Sequence, residues 1–216
     1  TAATYMSSFD KENYARQGYF VDAEFHIGYA QSAIELNENG MSGIQAEMPL
    51  NDEMVQEISA LDGVEKVMEI KSFGIRFDYP KNDEYGNDDI IYPLSGEETR
   101  EIGKYLEDGS ADYDKLMSGN YILVAGNGNA AEIYGWEFTV GDKIILHYYD
   151  GSKMAEKEVT ILGVLNDGYV LDHNGLDGWF LMPEQAILKW LSYDSLNSDL
   201  LVSTEADKED EVGEAL

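Results

Sequence analysis

The sequence predicts an α+β fold in which a split β-α-β unit is interrupted by a mostly β insertion. Three observations carry this expectation. An amphipathic helix pattern over Asn51–Asp62 runs into a β-rich stretch, Val64–Tyr79. A strand, a short helical turn and a hairpin pattern occupy Tyr121–Asp167. Two strand-then-helix units, Trp179–Leu191 and Asp199–Leu216, follow.

In chain order, Thr1–Gln17 is polar with weak helical spacing through Tyr5, Met6, Phe9 and Tyr14. Tyr19–Tyr29 alternates as a strand, with Phe20, Ala23, Phe25 and Ile27 facing one side. Gln31–Met48 lacks periodicity and reads as a loop. Asn51 can cap the next helix through its side chain, and Asp52 and Glu53 complement the positive end of the helix dipole. Met54, Val55, Ile58 and Leu61 share one face, and Gly63 suits the left-handed residue that ends a helix. Val64–Tyr79 is then one long strand, Val67, Ile70, Phe73, Ile75 and Phe77 supplying its β-formers.

Pro80–Asp89 reads as a polar turn. Ser95 with Glu98 forms a capping box, which predicts a helix over Gly96–Glu107 with Ile102, Tyr105 and Leu106 inward. Tyr113–Met117 adds a helical turn. The hairpin pairs Lys143–Tyr149 with Glu158–Leu165, and Asp150-Gly151 opens its connection. The rest of that connection, to Lys157, is polar and expected to stand out in solvent. Gly168–Gly178 is turn-rich and Trp179–Met182 a short strand. Pro183 stands at a first helical position, with Ala186, Ile187, Trp190 and Leu191 on the buried face. Asp199–Ser203 is a strand, and Thr204 or Asp207 caps a last amphipathic helix with Val212 and Leu216.

The chain carries 43 acidic and 14 basic side chains, a formal charge of −29. Phosphate contacts depend on Lys and Arg, so nucleic acid is excluded as a partner class, and anionic lipid headgroups repel the same surface. There is no cysteine, so no disulfide staples the fold. No run of ~20 apolar residues is present to span a membrane. The chain starts at Thr1 and stops inside a helical pattern, as expected of a processed chain or of a soluble loop lying between membrane spans.

Catalytic and metal motifs do not assemble. Gly126-Asn127-Gly128-Asn129-Ala130-Ala131 after Tyr121–Val124 has the form of a dinucleotide fingerprint. Its helix must end by Gly135, too short for a parallel crossover of ~10–12 residues, so a turn is the better reading. Asn82–Asp89 is oxygen-rich, but setting Gly86 as the central glycine of an EF-hand loop puts Lys81 and Tyr92 where carboxylate ligands belong. His26, His147 and His173 have no second ligand at metal spacing. No Gly-x-Ser-x-Gly elbow exists, and a pair of carboxylates in so acidic a chain carries no weight for glycoside hydrolysis. The expectation is no catalytic residue, no metal and no cofactor. Trp136, Tyr148, Tyr149 and Tyr169 are the candidate partner-contact residues, since exposed aromatics are enriched at interfaces.

Three segments in order carry a resemblance: Ile58–Val67, a helix running into Gly63-Val64; Ala130–Gly135 with Val140-Gly141-Asp142 and Val159–Val164; and Trp179–Leu191 followed by Leu200–Val202 and a last helix. Together they resemble the extracytoplasmic core domain of FtsX-like ABC permeases, the MacB-like domain inserted between the first two membrane helices. The match is weakest over Tyr79–Asn120. The resemblance implies a porter-like subdomain, residues 19–79 and 179–216, interrupted by a sabre-like β subdomain, 80–178, with 1–18 as a stalk continuing a membrane helix. It further implies a non-catalytic domain on the extracytoplasmic side of the cell membrane. Its expected partners are a cytoplasmic ABC ATPase, a second permease copy and an extracellular protein. Such a domain couples ATP-driven helix motion to substrate export or to that partner. The alternative is a free-standing secreted or surface-anchored module binding a glycan, peptide or protein; a hydrolase ranks below both.

Overall fold

The computed structural model describes residues 2–8, 11–12, 23–28, 50–79, 82–172 and 180–216. The chain divides into two units. The first holds the described residues up to 28, then 50–72 and 194–216; the second holds 73–79, 82–172 and 180–193. The divisions fall after Ser72 and after Tyr193.

The first unit is a four-stranded antiparallel sheet, β1 (Ala2–Tyr5), β2 (Phe25–Gly28), β11 (Asn197–Thr204) and β3 (Val64–Lys71) in that spatial order. β2 and β3 both run antiparallel to β11 and are therefore parallel to each other, with the last strand of the chain slotted between them. This is the split β-α-β arrangement, its crossover helix being α1 (Asp52–Ser59). Asn51 caps α1 as expected, its side chain accepting the Met54 N–H at 2.9 Å. Phe25, Ile27, Leu50, Leu200, Val202 and Val212 are buried together under α1 and the last helix. Ala2–Tyr5, read by spacing as helical, is a strand because it pairs along the outer edge of β2. Phe20 and the Gln31–Met48 loop lie outside the described residues.

The second unit is built on a ring. β4 (Phe73–Tyr79), β5 (Asn82–Leu94), β10 (Phe180–Pro183), β7 (Tyr121–Val124), β9 (Met154–Leu165) and β8 (Lys143–Tyr149) pair in that order, and β8 pairs again with β4. Six strands thus close into a barrel, which removes their free edges. β6 (Leu106–Gly109) adds to the far end of β9. Thr160 marks the handover on β9, paired with Lys143 on one edge and Tyr121 on the other. Inside, Phe77 meets Phe180 at 4.9 Å and Trp136 at 5.3 Å, both edge-to-face. β7 and β10 are buried on both faces. Their outward residues Leu123 and Leu181 enter a second core with Leu94, Ile102, Leu116, Leu162 and Leu165. That core lies among α2 (Gly96–Glu101), α3 (Tyr113–Met117) and neighbouring segments.

Several expectations are corrected. Val64–Tyr79 is two strands, not one: β3 pairs with β11 in the first unit and β4 with β5 and β8 in the second. At the break, Ser72 N–H donates to the Leu196 carbonyl at 3.2 Å. The phase of burial changes here too, from Ile70 to Phe73 across three residues instead of two. Asn82–Asp89 is not a turn but the first half of β5, held by the ladder to β4; Pro80 and Lys81 lie outside the described residues. The Ser95–Glu98 capping box forms, but the α-helix stops at Glu101. Ile102–Tyr105 tightens into a 3-10 turn, and Leu106 begins β6 because β9 offers it a partner. Pro183 precedes α6 (Glu184–Leu188) as its N-cap instead of its first residue. Neither Thr204 nor Asp207 caps α7 (Glu209–Ala215); Asp207 takes φ 64° and Lys208 is the N-cap, without a side-chain bond.

Candidate functional site

The Val140-Gly141-Asp142 segment is a structural knot. Gly141, at φ +90°, donates its N–H to the Ile161 carbonyl, and Ile161 N–H donates to the Asp142 carbonyl, both at 2.9 Å. The Tyr79 hydroxyl lies 2.6 Å from Asp142 Oδ2 and 2.7 Å from the Glu137 carbonyl, sharing one proton between them. These bonds fix the start of β8 against β9 and the end of β4.

The glycine-rich Gly126–Ala131 segment opens α4 (Asn127–Tyr134), and its polar side chain is already occupied. Asn127 Oδ1 accepts the Phe138 N–H at 2.9 Å and its Nδ2 donates to the Phe138 carbonyl at 3.0 Å. The loop therefore cinches the Trp136–Phe138 plug onto the barrel mouth. It is a clamp on its own chain.

The hairpin connection is shorter than the sequence implied, a turn at Asp150–Lys153 with β9 starting at Met154. The Asp150 carboxylate accepts from the Ser152 N–H and hydroxyl and the Lys153 N–H at 2.8–2.9 Å. The bond from Lys153 contributes most to lowering its pKa, ahead of the Ser152 hydroxyl. The tip does not stand free: Ser192 donates its N–H and hydroxyl to the Asp150 carbonyl, both at 2.8 Å.

Of the four aromatic candidates, Trp136, Tyr148 and Tyr169 are 7%, 5% and 3% exposed, and Tyr149 is half-buried. Trp136 plugs the barrel. Tyr148 packs between Phe73 at 5.6 Å and Trp190 at 5.5 Å, and Lys157 Nζ lies 5.4 Å over the Trp190 ring. Tyr169, on α5 (Asp167–Asp172), meets Tyr105 edge-on at 5.3 Å in the second core, where burial pushes its hydroxyl pKa well up. Tyr149 stands beside the outward-facing His147 row, across from the exposed Met154.

The histidines acquire partners that local spacing does not reveal. His26 Nε2 lies 2.6 Å from Asp199 Oδ1 across β2 and β11. His147 stands between two carboxylates, Asp78 Oδ2 at 2.7 Å from Nε2 and Glu156 Oε1 at 3.2 Å from Nδ1. Its two ring nitrogens point to opposite partners, a polar clamp across three strands. Among the described residues no group of three or more His, Asp or Glu is placed to hold a metal. His173 lies outside the described residues, as does Trp179. No described helix is long and apolar enough to cross a membrane.

Sequence reasoning missed a groove of about 200 Å³ beside α1. Met54, Glu57, Ile58 and Leu61 line it on one side and Ala215 and Leu216 on the other, with the buried Ile27 between them. No residue of α1 is fully buried, although its apolar stripe was legible. The missing signal is the partner wall, more than 150 residues away along the chain.

No family model matches the chain, and no curated protein matches it. Among solved structures it is similar to the extracellular domain of the noncanonic ABC-type transporter YknZ from Gram-positive bacteria. Identity there is 20% over 87% of this chain and 88% of that one, with a TM-score of 0.40. It is also similar to the periplasmic region of MacB from Actinobacillus actinomycetemcomitans. That match has 12% identity, covers 94% of this chain and 83% of the other, and has a TM-score of 0.39.

Proposed function

We propose that this chain is the extracytoplasmic domain of an FtsX-like ABC transporter permease. It performs no catalysis; it passes ATP-driven motion of membrane helices to a substrate or to an extracellular partner. The observation that carries the reading is where the first and last segments meet. The Tyr5 hydroxyl lies 3.4 Å from the Glu209 carbonyl, and β1 and α7 belong to the same unit. A domain pulled at two points moves coherently when both attachments enter one packed body, and the barrel is then carried as an insertion. The ordered motifs support the same reading: Gly63-Val64 opens β3, Val140-Gly141-Asp142 leads into β8 and Val159–Val164 lies in β9.

The reading assigns the half-exposed Tyr149 and the β8–β9 hairpin to partner contact, with an ATPase subunit reached only through the parent's membrane helices. The test reads the parent coding sequence outward from codons 1 and 216. It predicts an apolar span of ~20 residues before Thr1 and at least three after Leu216. It also predicts that the full-length protein copurifies with an ABC ATPase. Polar flanks on both sides overturn it.

A further inference from the structure

Three cations gather on one loop of a chain that is otherwise short of them. Lys189 Nζ, at the C-cap of α6, donates to the Met117 carbonyl at 2.7 Å. Lys157 Nζ, on β9, donates to Asn120 Oδ1 at 3.1 Å and lies 5.4 Å over the Trp190 ring. Lys115 Nζ, on α3, lies 5.8 Å over the Tyr121 ring. All three bear on the segment from Met117 to Tyr121, and each contact they make is to a neutral group.

Among the described residues none of the three forms an ion pair, whereas Lys104, Lys143 and Lys208 each hold a carboxylate. In a chain of 43 acidic and 14 basic side chains this is the exception. Strand alternation supplies part of the reason. Glu156 and Glu158 turn to the opposite face of β9 from Lys157, where they meet His147 and Lys143. Asp112 is committed to capping α3, accepting the Lys115 N–H at 2.8 Å. An ammonium group carries three donors, so each lysine keeps donors beyond the contacts it makes.

The loop beneath them is fixed in place. Gly119 is buried at φ +73°, and a Cβ there would lie 2.9 Å from Trp190 Nε1. The Asn120 carbonyl accepts the Thr160 N–H of β9 at 3.0 Å, and the Ser118 hydroxyl donates to the Lys115 carbonyl at 2.6 Å. Lys115, Ser118, Asn120 and Lys189 are exposed, and Trp190 is half-buried.

We infer that this loop docks a short acidic peptide segment of a partner protein, whose carboxylates are taken by Lys115, Lys157 and Lys189. Charge sets the length of the segment. The rest of a chain of −29 repels an extended polyanion, whereas a few carboxylates on an otherwise neutral or basic partner meet the ammonium groups without that opposition. A second copy brings the same negative charge with it and is repelled likewise. The inference does not rest on the transporter reading, and its failure leaves that reading untouched.

The test follows the amides of Ser118, Gly119 and Asn120 and the Trp190 indole by NMR. The whole chain is titrated with a Glu/Gly peptide, its Gln/Gly counterpart and inorganic polyphosphate. The expected result is saturable shifts at those signals with the Glu/Gly peptide alone, weakening as sodium chloride is raised. Lys115→Gln, Lys157→Gln and Lys189→Gln combined should weaken binding at least about tenfold, while Arg at the same positions retains it. Lys115→Gln alone, which removes no side-chain hydrogen bond, should weaken it about threefold. Lys104→Gln, Lys143→Gln and Lys153→Gln together make the same change of net charge elsewhere and should leave affinity within about twofold. An equal loss in that control reduces the effect to overall charge and overturns the inference. So do shifts that map elsewhere, equal shifts with the Gln/Gly peptide, preferential binding of polyphosphate, or shifts that follow protein concentration alone, which would make a second copy the occupant.

Discussion

Asp89 stands directly across the β4–β5 ladder from Ile75, so a carboxylate shares the inward side of the barrel with an aliphatic side chain. Burial pushes the Asp89 pKa up to about 7, against one opposing hydrogen bond from the Ile90 N–H at 2.7 Å. Arg76 and Asp78, the charged residues on β4 nearest it, occupy the alternate, outward positions of that strand. The folded state therefore holds a proton that the unfolded chain releases near pH 4. Stability contributed by this group is full below the unfolded pKa and declines as pH rises toward 7. Asp89→Asn should remove that slope, gaining up to roughly 1.4 kcal/mol for each unit of displacement. Denaturant unfolding of both proteins at pH 5, 6, 7 and 8 checks it; parallel curves would falsify the assignment.

Asn127→Ala deletes both bonds to the Phe138 backbone and releases the plug at the barrel mouth. The expected loss is roughly 1–3 kcal/mol, since a buried N–H and carbonyl are left to find new partners. Trp136 packs against Phe77 and Phe138, so its fluorescence should shift to the red in the folded variant. An unshifted spectrum with unchanged stability would mean that Asn127 holds nothing.

Gly109 and Gly163 face each other where β6 meets β9. A Cβ on Gly109, at φ +82°, would lie 2.4 Å from the Leu162 carbonyl oxygen, and backbone cannot step aside. Gly109→Ala should cost roughly 2–4 kcal/mol, combining left-handed strain with a forced separation of the two strands. Gly74→Ala is the control, because nothing lies within 4 Å of a Cβ there. Comparable losses at both positions would show that close approach is not the cause.

The charge of −29 should make stability respond to salt. Self-repulsion among carboxylates is screened within ~10 Å at 0.1 M ionic strength. The melting temperature is expected to climb as sodium chloride is raised from low to near-molar concentration. A flat or falling profile would place the stabilising weight on ion pairs such as Lys143–Glu158, at 2.5 Å, instead.

The elements that were legible are those specified by neighbours in sequence. Asn51 and Ser95 announce their helices because a cap bonds three residues ahead, and Tyr121–Val124, Ile144–Leu146 and Val159–Leu162 are runs of apolar or β-branched residues. What escaped was set by partners far away. Asn82–Asp89 is poor in β-formers, and the ladder to β4 overrides its composition. Leu106 leaves the helix expected of it because β9 is there to receive it. Closure of the barrel depends on β4 meeting β8, some seventy residues along, and no local pattern encodes that. The carboxylate partners of His147 and the second wall of the groove were hidden for the same reason.

β11, which joins β2 to β3 in the first sheet, is the last of that sheet's four strands to be made. During synthesis β2 and β3 emerge well before β11, the strand that joins them. The barrel, whose last strand ends at Pro183, can close first. The edges of β2 and β3 that β11 will cover must wait unpaired, a vulnerable interval for a nascent chain. Truncation before Asn197 should therefore leave a protease-resistant barrel attached to a digestible amino-terminal region, and stalled-ribosome proteolysis at successive lengths would show protection arriving in that order.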